Sequence, residues 1–136
     1  MTFDTKIAIV VRDSLAPWQK LNVTAFLAGG LAGFYPEVVG ERYGDASGVA
    51  YGPLVRQPIL VFSAAAEDLA RTLKRALERG VVPSIYTMEL FTTYNDIDNR
   101  TAVAAITTDR LDLAGLALHA ERKTVDKIVK GLKLHG

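Results

Sequence analysis

The segment Lys6 to Arg12, KIAIVVR, constrains the fold more than any other stretch of this chain. It is short, rich in β-branched residues and apolar at successive positions. A strand exposes alternate residues to opposite faces, so such a run must be covered on both sides. That predicts a central strand of an α/β sheet flanked by helices. PILVFS, from Pro58 to Ser63, repeats the pattern. VVPSIYTM reads as a third strand, and DLAGLALH, from Asp112 to His119, as a fourth.

Helical periodicity fills the intervals. Pro17 suits a first helical turn, where its missing N–H leaves no bond unmade. The spacing predicts a helix over 18–33, with Trp18, Leu21, Ala25, Ala28 or Gly29, and Ala32 on the inward stripe. Its glycines each cost roughly 1 kcal/mol of helix propensity. Close approach to the sheet or to another helix is the expected compensation. Glu67 to Arg79 is a clearer helix, with Leu69, Leu73, Ala76 and Leu77 inward, acids in its first turn and Gly80 as its stop. Further helices are expected over 96–106 and 123–133. In the last, Val125, Ile128, Val129 and Leu132 face inward, with Lys127, Lys130 and Lys133 outside.

The alternation predicts a three-layer α/β/α sandwich around a mixed four-stranded sheet. With 136 residues, the whole span 1–136 is expected to be a single α/β domain. Residues 34–57 break the alternation. Four glycines spaced by four punctuate them, matching neither a dinucleotide fingerprint nor a phosphate loop. A flap with a short hairpin around VAYGPLV is expected there.

Several function classes drop out. The absence of cysteine excludes disulfides, thiolate catalysis and Cys-type zinc sites. A net charge of +1 gives no overall field for nucleic acid or anionic membrane. The apolar run Ile7–Val11 is too short for a signal peptide or membrane span, so a cytosolic, bacterial protein without membrane contact is expected. His119 and His135, the two histidines, lack carboxylate spacing for a metal site or triad and read as structural. No metal and no cofactor is expected.

The most chemically crowded stretch is YTMELFTTYNDIDNRTAV, residues 86–103. As a calcium loop it fails on spacing. Counted from Asp96, the fifth, sixth and twelfth positions fall on Arg100, Thr101 and Thr107, where an oxygen ligand, glycine and glutamate are needed. A capped helix start explains it better. Asn95 or Asp96 can accept from backbone N–H groups, and the acids suit the helix dipole. Arg100 is then left to pair with Glu89 or an Asp, or to face a ligand.

The first-strand segment KIAIVVRDSL, the small-residue helix ending at Gly33, LKRALERG and the ending DKIVKGLKLHG together resemble the type II peptidyl-tRNA hydrolase superfamily. More closely, the chain looks like a bacterial branch of that fold with no assigned function. The resemblance implies a type II peptidyl-tRNA hydrolase-like fold. It does not carry over the hydrolytic residues. The family's first helix lysines fall on Lys20 and Asn22, its cysteine on Leu27 and its histidine on Gly29. Its Asp-Ala-Gly-Arg-Thr turn is replaced by the crowded stretch.

Ligands of open α/β sheets sit beyond the carboxyl ends of parallel strands. That rule gathers Arg12 and Asp13 after the first strand, Lys20 and Asn22 on the first helix, and Glu89, Thr92 and Thr93 after the third strand. These seven are the ligand-binding candidates, suited to a small anion or nucleotide-like molecule beside a helix N-terminus. Three functions remain open: a small-ligand binding protein or enzyme, a divergent hydrolase or RNA-associated protein, and a non-catalytic dimerising module. A small-molecule ligand and a homodimer are the expected partners. Three lysines on the last helix are a weak signal for nucleic acid.

Overall fold

A computed structural model describes residues 3–136. One five-stranded sheet carries the fold, in the order β3-β4-β1-β2-β5. Its strands are β1 (Thr5–Arg12), β2 (Ile59–Ala64), β3 (Ser84–Thr87), β4 (Leu113–Glu121) and β5 (Lys133–Leu134). β1 and β2 run parallel, with Ile7 opposite Ile59 and Arg12 opposite Ala64. β4 runs antiparallel to both β1 and β3, and β5 antiparallel to β2. The carboxyl ends of β1, β2 and β3 therefore share one side of the sheet.

The apolar run of β1 divides between two cores, as its unbroken pattern requires. Ile7, Ile9 and Val11 point to helix α1 (Pro17–Phe34), meeting Val23, Leu27 and Leu31. Ala8 and Val10 point to α2 (Ala66–Glu78) and α4 (Arg122–Ile128), meeting Leu69, Leu73, Val125 and Ile128. Helix α3 (Asp96–Ala104) lies outside these cores and buries no residue.

The fifth strand corrects the expected count of four. Helix α4 stops at Ile128, well short of residue 133. Gly131 then adopts φ +90°, a left-handed conformation that turns the chain back. Leu134 pairs with Phe62, and the His135 N–H donates to the Val61 carbonyl at 2.9 Å. Lys133 is thus a strand residue rather than part of a helical lysine face. Arg75 of α2 closes the freed end of α4 by donating to the Lys130 carbonyl at 3.0 Å.

Helix α1 is rotated from its expected orientation. Val23, Leu27 and Leu31 face the sheet, while Trp18, Leu21 and Ala25 face outward. The rotation has a steric cause at Gly115 of β4. A Cβ there would lie 2.7 Å from Val23 Cγ1 and 2.8 Å from the Val10 carbonyl oxygen. The glycine that permits close packing is therefore in the sheet. Around Gly29, Gly30 and Gly33 of α1 an added Cβ would meet nothing within 4 Å. Leu77 of α2 also departs from its expected inward place and is half exposed.

Residues 39–55 form an irregular hairpin arm, held by bridges Val39–Val55 and Gly44–Ala50. Its turn is at Asp45–Val49, earlier than expected. The Asp45 carboxylate accepts from the N–H groups of Ser47 and Val49 and from the Tyr51 hydroxyl. The Tyr51 bond, with the backbone bonds, holds the Asp45 carboxyl below its ordinary range.

Candidate functional site

The seven candidate residues do not converge. Arg12 is committed to the sheet end: its Nη1 donates to Asp112 Oδ1 at 2.6 Å, and its Nε donates to Ser14 Oγ at 3.2 Å. Asp13 is exposed, and its backbone N–H closes onto the Ala64 carbonyl. Lys20 lies on the β5 side of α1, where its Nζ stands 3.3 Å from His135 Nε2. Thr92 donates to the Glu89 carbonyl, closing a single 3-10 turn over Met88–Phe91. Glu89 is half-buried within that turn. Its Oε2, with Thr87 Oγ1, is one of two buried side-chain oxygens without a hydrogen-bond partner among the described residues.

Asn22 and Thr93 do come together. They line a cleft of about 910 Å3 between α1 and the segment running from β3 through α3. It opens beside β3, an edge strand, rather than in front of the central strands. Volumes of roughly 300–1,000 Å3 are usual for small-molecule sites.

An aromatic wall dominates this cleft. Trp18 meets Phe91 edge-on at 5.9 Å between ring centroids. Phe91 tilts against Tyr86 at 5.0 Å, and Tyr86 meets Phe26 at 6.0 Å. The wall follows from local structure. Trp18 and Phe26 stand on the outward arc of α1, Tyr86 on the α1 face of β3, and Phe91 at the end of the 3-10 turn. The main-chain irregularity between Tyr86 and Thr87 ends the regular pairing of β3 with β4 just before that turn begins. Burial pushes the Tyr86 phenol above its ordinary range, so it stays a neutral donor.

The opposite rim is polar. The Asn95 side chain accepts from the Asp98 N–H at 2.8 Å and caps α3, as the crowded stretch predicted. Thr93 donates to the Asn99 side-chain oxygen. Arg100 pairs with Asp96, one turn back on the same helix, and not with Glu89. Asp96 and Arg100 are the charged residues lining the cleft, and they offset each other. Sequence reading missed Trp18 and Phe26 as site residues. Aromatics at apolar positions carry no signal separating core from cleft until helix α1 is oriented.

A second hollow of about 860 Å3 lies on the other face, between α2 and residues 107–113. It contains none of the seven candidates. Among the described residues, no group of three or more His, Cys, Asp or Glu is placed to hold a metal ion. His119 is buried in β4, with Nε2 3.1 Å from Thr5 Oγ1 and its ring against Tyr35, which is a structural placement. No helix in the described residues is long and apolar enough to cross a membrane.

The profile of a family described as a protein of unknown function (DUF2000) matches residues 5–136. The chain belongs to that family. Among solved structures similar to it is the protein of unknown function Atu0240 from Agrobacterium tumefaciens strain C58. It is 47% identical in sequence, with a TM-score of 0.96, and the match covers 99% of this chain and 100% of that one. None of the curated proteins is detectably similar to the chain. The match to the DUF2000 profile spans β1 through β5, so it includes both walls of the cleft.

Proposed function

We propose that this DUF2000 protein binds a small, flat, uncharged ring compound of the nucleobase or nucleoside type in the cleft between α1 and α3. The observation that carries this reading is the contiguous wall of Trp18, Phe91, Tyr86 and Phe26 facing a rim of amides and hydroxyls. Stacking on an aromatic side chain is worth about 1–3 kcal/mol per base. Asn22 and Asn99 carry amides able to read the edge of a heterocycle, and Tyr86 supplies a neutral donor. The Asp96–Arg100 pair leaves no free charge for a phosphate, which favours a nucleoside over a nucleotide.

The position of Lys20 supports this reading over the hydrolase alternative. Lys20 is the lysine that matches the hydrolase pattern, and it is bonded toward His135, away from the cleft. The fold is read as type II peptidyl-tRNA hydrolase-like without that enzyme's chemistry, in the cytosol of a bacterium. The test is a thermal-shift screen of bases, nucleosides, nucleotides and non-aromatic sugars. A ligand that binds only the native state raises its stability. Nucleosides or bases are expected to raise the Tm, nucleotides less, and Phe91→Ala to abolish the shift. A screen in which sugars or free phosphate act and flat rings do not would refute the reading.

A further inference from the structure

The hollow of about 860 Å3 between α2 and residues 107–113 shares no residue with the aromatic cleft. Its floor is leucine. Leu73 and Leu113 reach it from the α2-side core, at 6% and 3% exposure, and Leu111 packs against that core. Core residues at its floor give the hollow depth. Leu77 forms a wall. A leucine at an inward position of a helix is ordinarily covered, and this one stands 48% exposed because the hollow lies beside it.

Four charged residues line the rim: Arg71, Lys74, Glu78 and Asp109. Two of them are engaged. Arg71 pairs with Asp68, and Asp109 accepts from the Thr107 hydroxyl at 2.8 Å. Lys74 and Glu78 enter no ion pair among the described residues. They are four apart on one helix, the spacing at which Asp96 and Arg100 of α3 do pair. The order differs. An acid placed before a base pairs well at this spacing, and a base placed before an acid pairs poorly. The rim therefore presents an open cation and an open anion, with their Cβ atoms about 5–6 Å apart.

We propose that this hollow binds an α-amino acid with an apolar side chain. The ligand's carboxylate lies on the Lys74 ammonium and its ammonium on the Glu78 carboxylate. Its side chain rests on Leu73, Leu77, Leu111 and Leu113. The rim selects this class of ligand. A fatty acid or an apolar amine answers one rim charge and leaves the other beside a group of its own sign. An uncharged ring answers neither. An amino acid carries both charges on one carbon, so it bridges the two side chains with charge-assisted hydrogen bonds. The inference stands independently of what occupies the cleft.

Leucine is the probe, titrated into the native protein and followed by backbone amide NMR shifts. Shifts are expected in residues 70–78 and 107–113, with Phe91 and Asn99 of the cleft unmoved. Isocaproate, which is leucine without its ammonium, and isoamylamine, which lacks its carboxylate, are expected to bind about tenfold more weakly or worse. Glycine, which lacks the side chain, is expected not to bind. Lys74→Gln and Glu78→Gln, both at exposed positions, should each raise the Kd for leucine about tenfold with an unchanged Tm. Isocaproate or isoamylamine binding as tightly as leucine would overturn the inference. So would leucine binding untouched by both substitutions, shifts confined to the cleft, or no shifts up to the solubility limit of leucine.

Discussion

Helices α1 and α2 cover opposite faces of the same sheet by different means. α2 divides its residues largely by polarity, with Leu77 and the buried Thr72 as exceptions: Leu69, Leu73 and Ala76 pack on the sheet, while Glu67, Arg71, Lys74 and Glu78 meet water. α1 makes no such division. It sets Val23, Leu27 and Leu31 on the sheet and leaves other apolar residues outside. α2 is oriented by polarity, a property each residue carries alone. α1 is oriented by shape, a property of the pair it forms with Gly115. A helix apolar on all sides can turn about its axis with little change in buried hydrophobic area, so sterics decide.

The contrast is sharpest in α2. Leu69 is fully buried, and Leu69→Ala is expected to lower stability by about 2–5 kcal/mol in urea unfolding. Leu21→Ala on the outer face of α1 should move stability by less than about 0.5 kcal/mol. Similar losses at both positions would break the comparison. Next in size is Gly115→Ala. Its new methyl overlaps Val23 and the Val10 carbonyl, so a loss of about 1–3 kcal/mol is expected. A neutral result would mean that α1 is not held by this contact.

Gly29→Ala acts in the opposite direction. With nothing near its Cβ, it should stabilise the protein by up to about 1 kcal/mol through helix propensity, measured by urea unfolding. The smallest effect is at His119, under the C-terminal end of α1. Burial holds its imidazole below the ordinary range, against the opposing pull of Glu37. The unfolded chain takes up a proton near pH 6.5, and the folded chain does so only at lower pH. Stability is therefore full above that value and declines as pH falls through the folded one. His119→Gln should flatten this slope between pH 7.5 and pH 5, read from urea midpoints. An unchanged slope would place the titration elsewhere.

These differences explain what the sequence made legible. The strands β1, β2 and β4 could be read because burial on both faces leaves no polar break in them. The Asn95 cap could be read because a cap is local, needing only the three residues that follow. β5 could not, since two residues have no period, and its pairing depends on a turn at Gly131. Of the candidate site, Asn22 and Thr93 were found through the rule about strand ends, though the cleft lies at the sheet's edge. Lys20 was misplaced with α1 itself. Reading α1 in the wrong rotation turned Trp18 toward the core and hid the aromatic wall.

The pairing of β1 with β4 bears on the order in which the protein is made. Thr5 pairs with Glu121 and Val11 with Gly115, so the middle of the sheet joins opposite ends of the sequence. Such non-local contacts are slow to form, because a long loop must close before they contribute. During synthesis β1 leaves the ribosome early and must wait for nearly the whole chain before its second neighbour exists. Until then one edge of its most apolar segment has no strand beside it. Nascent chains halted before residue 113 should therefore be digested readily by protease, and those carried past residue 121 should resist it.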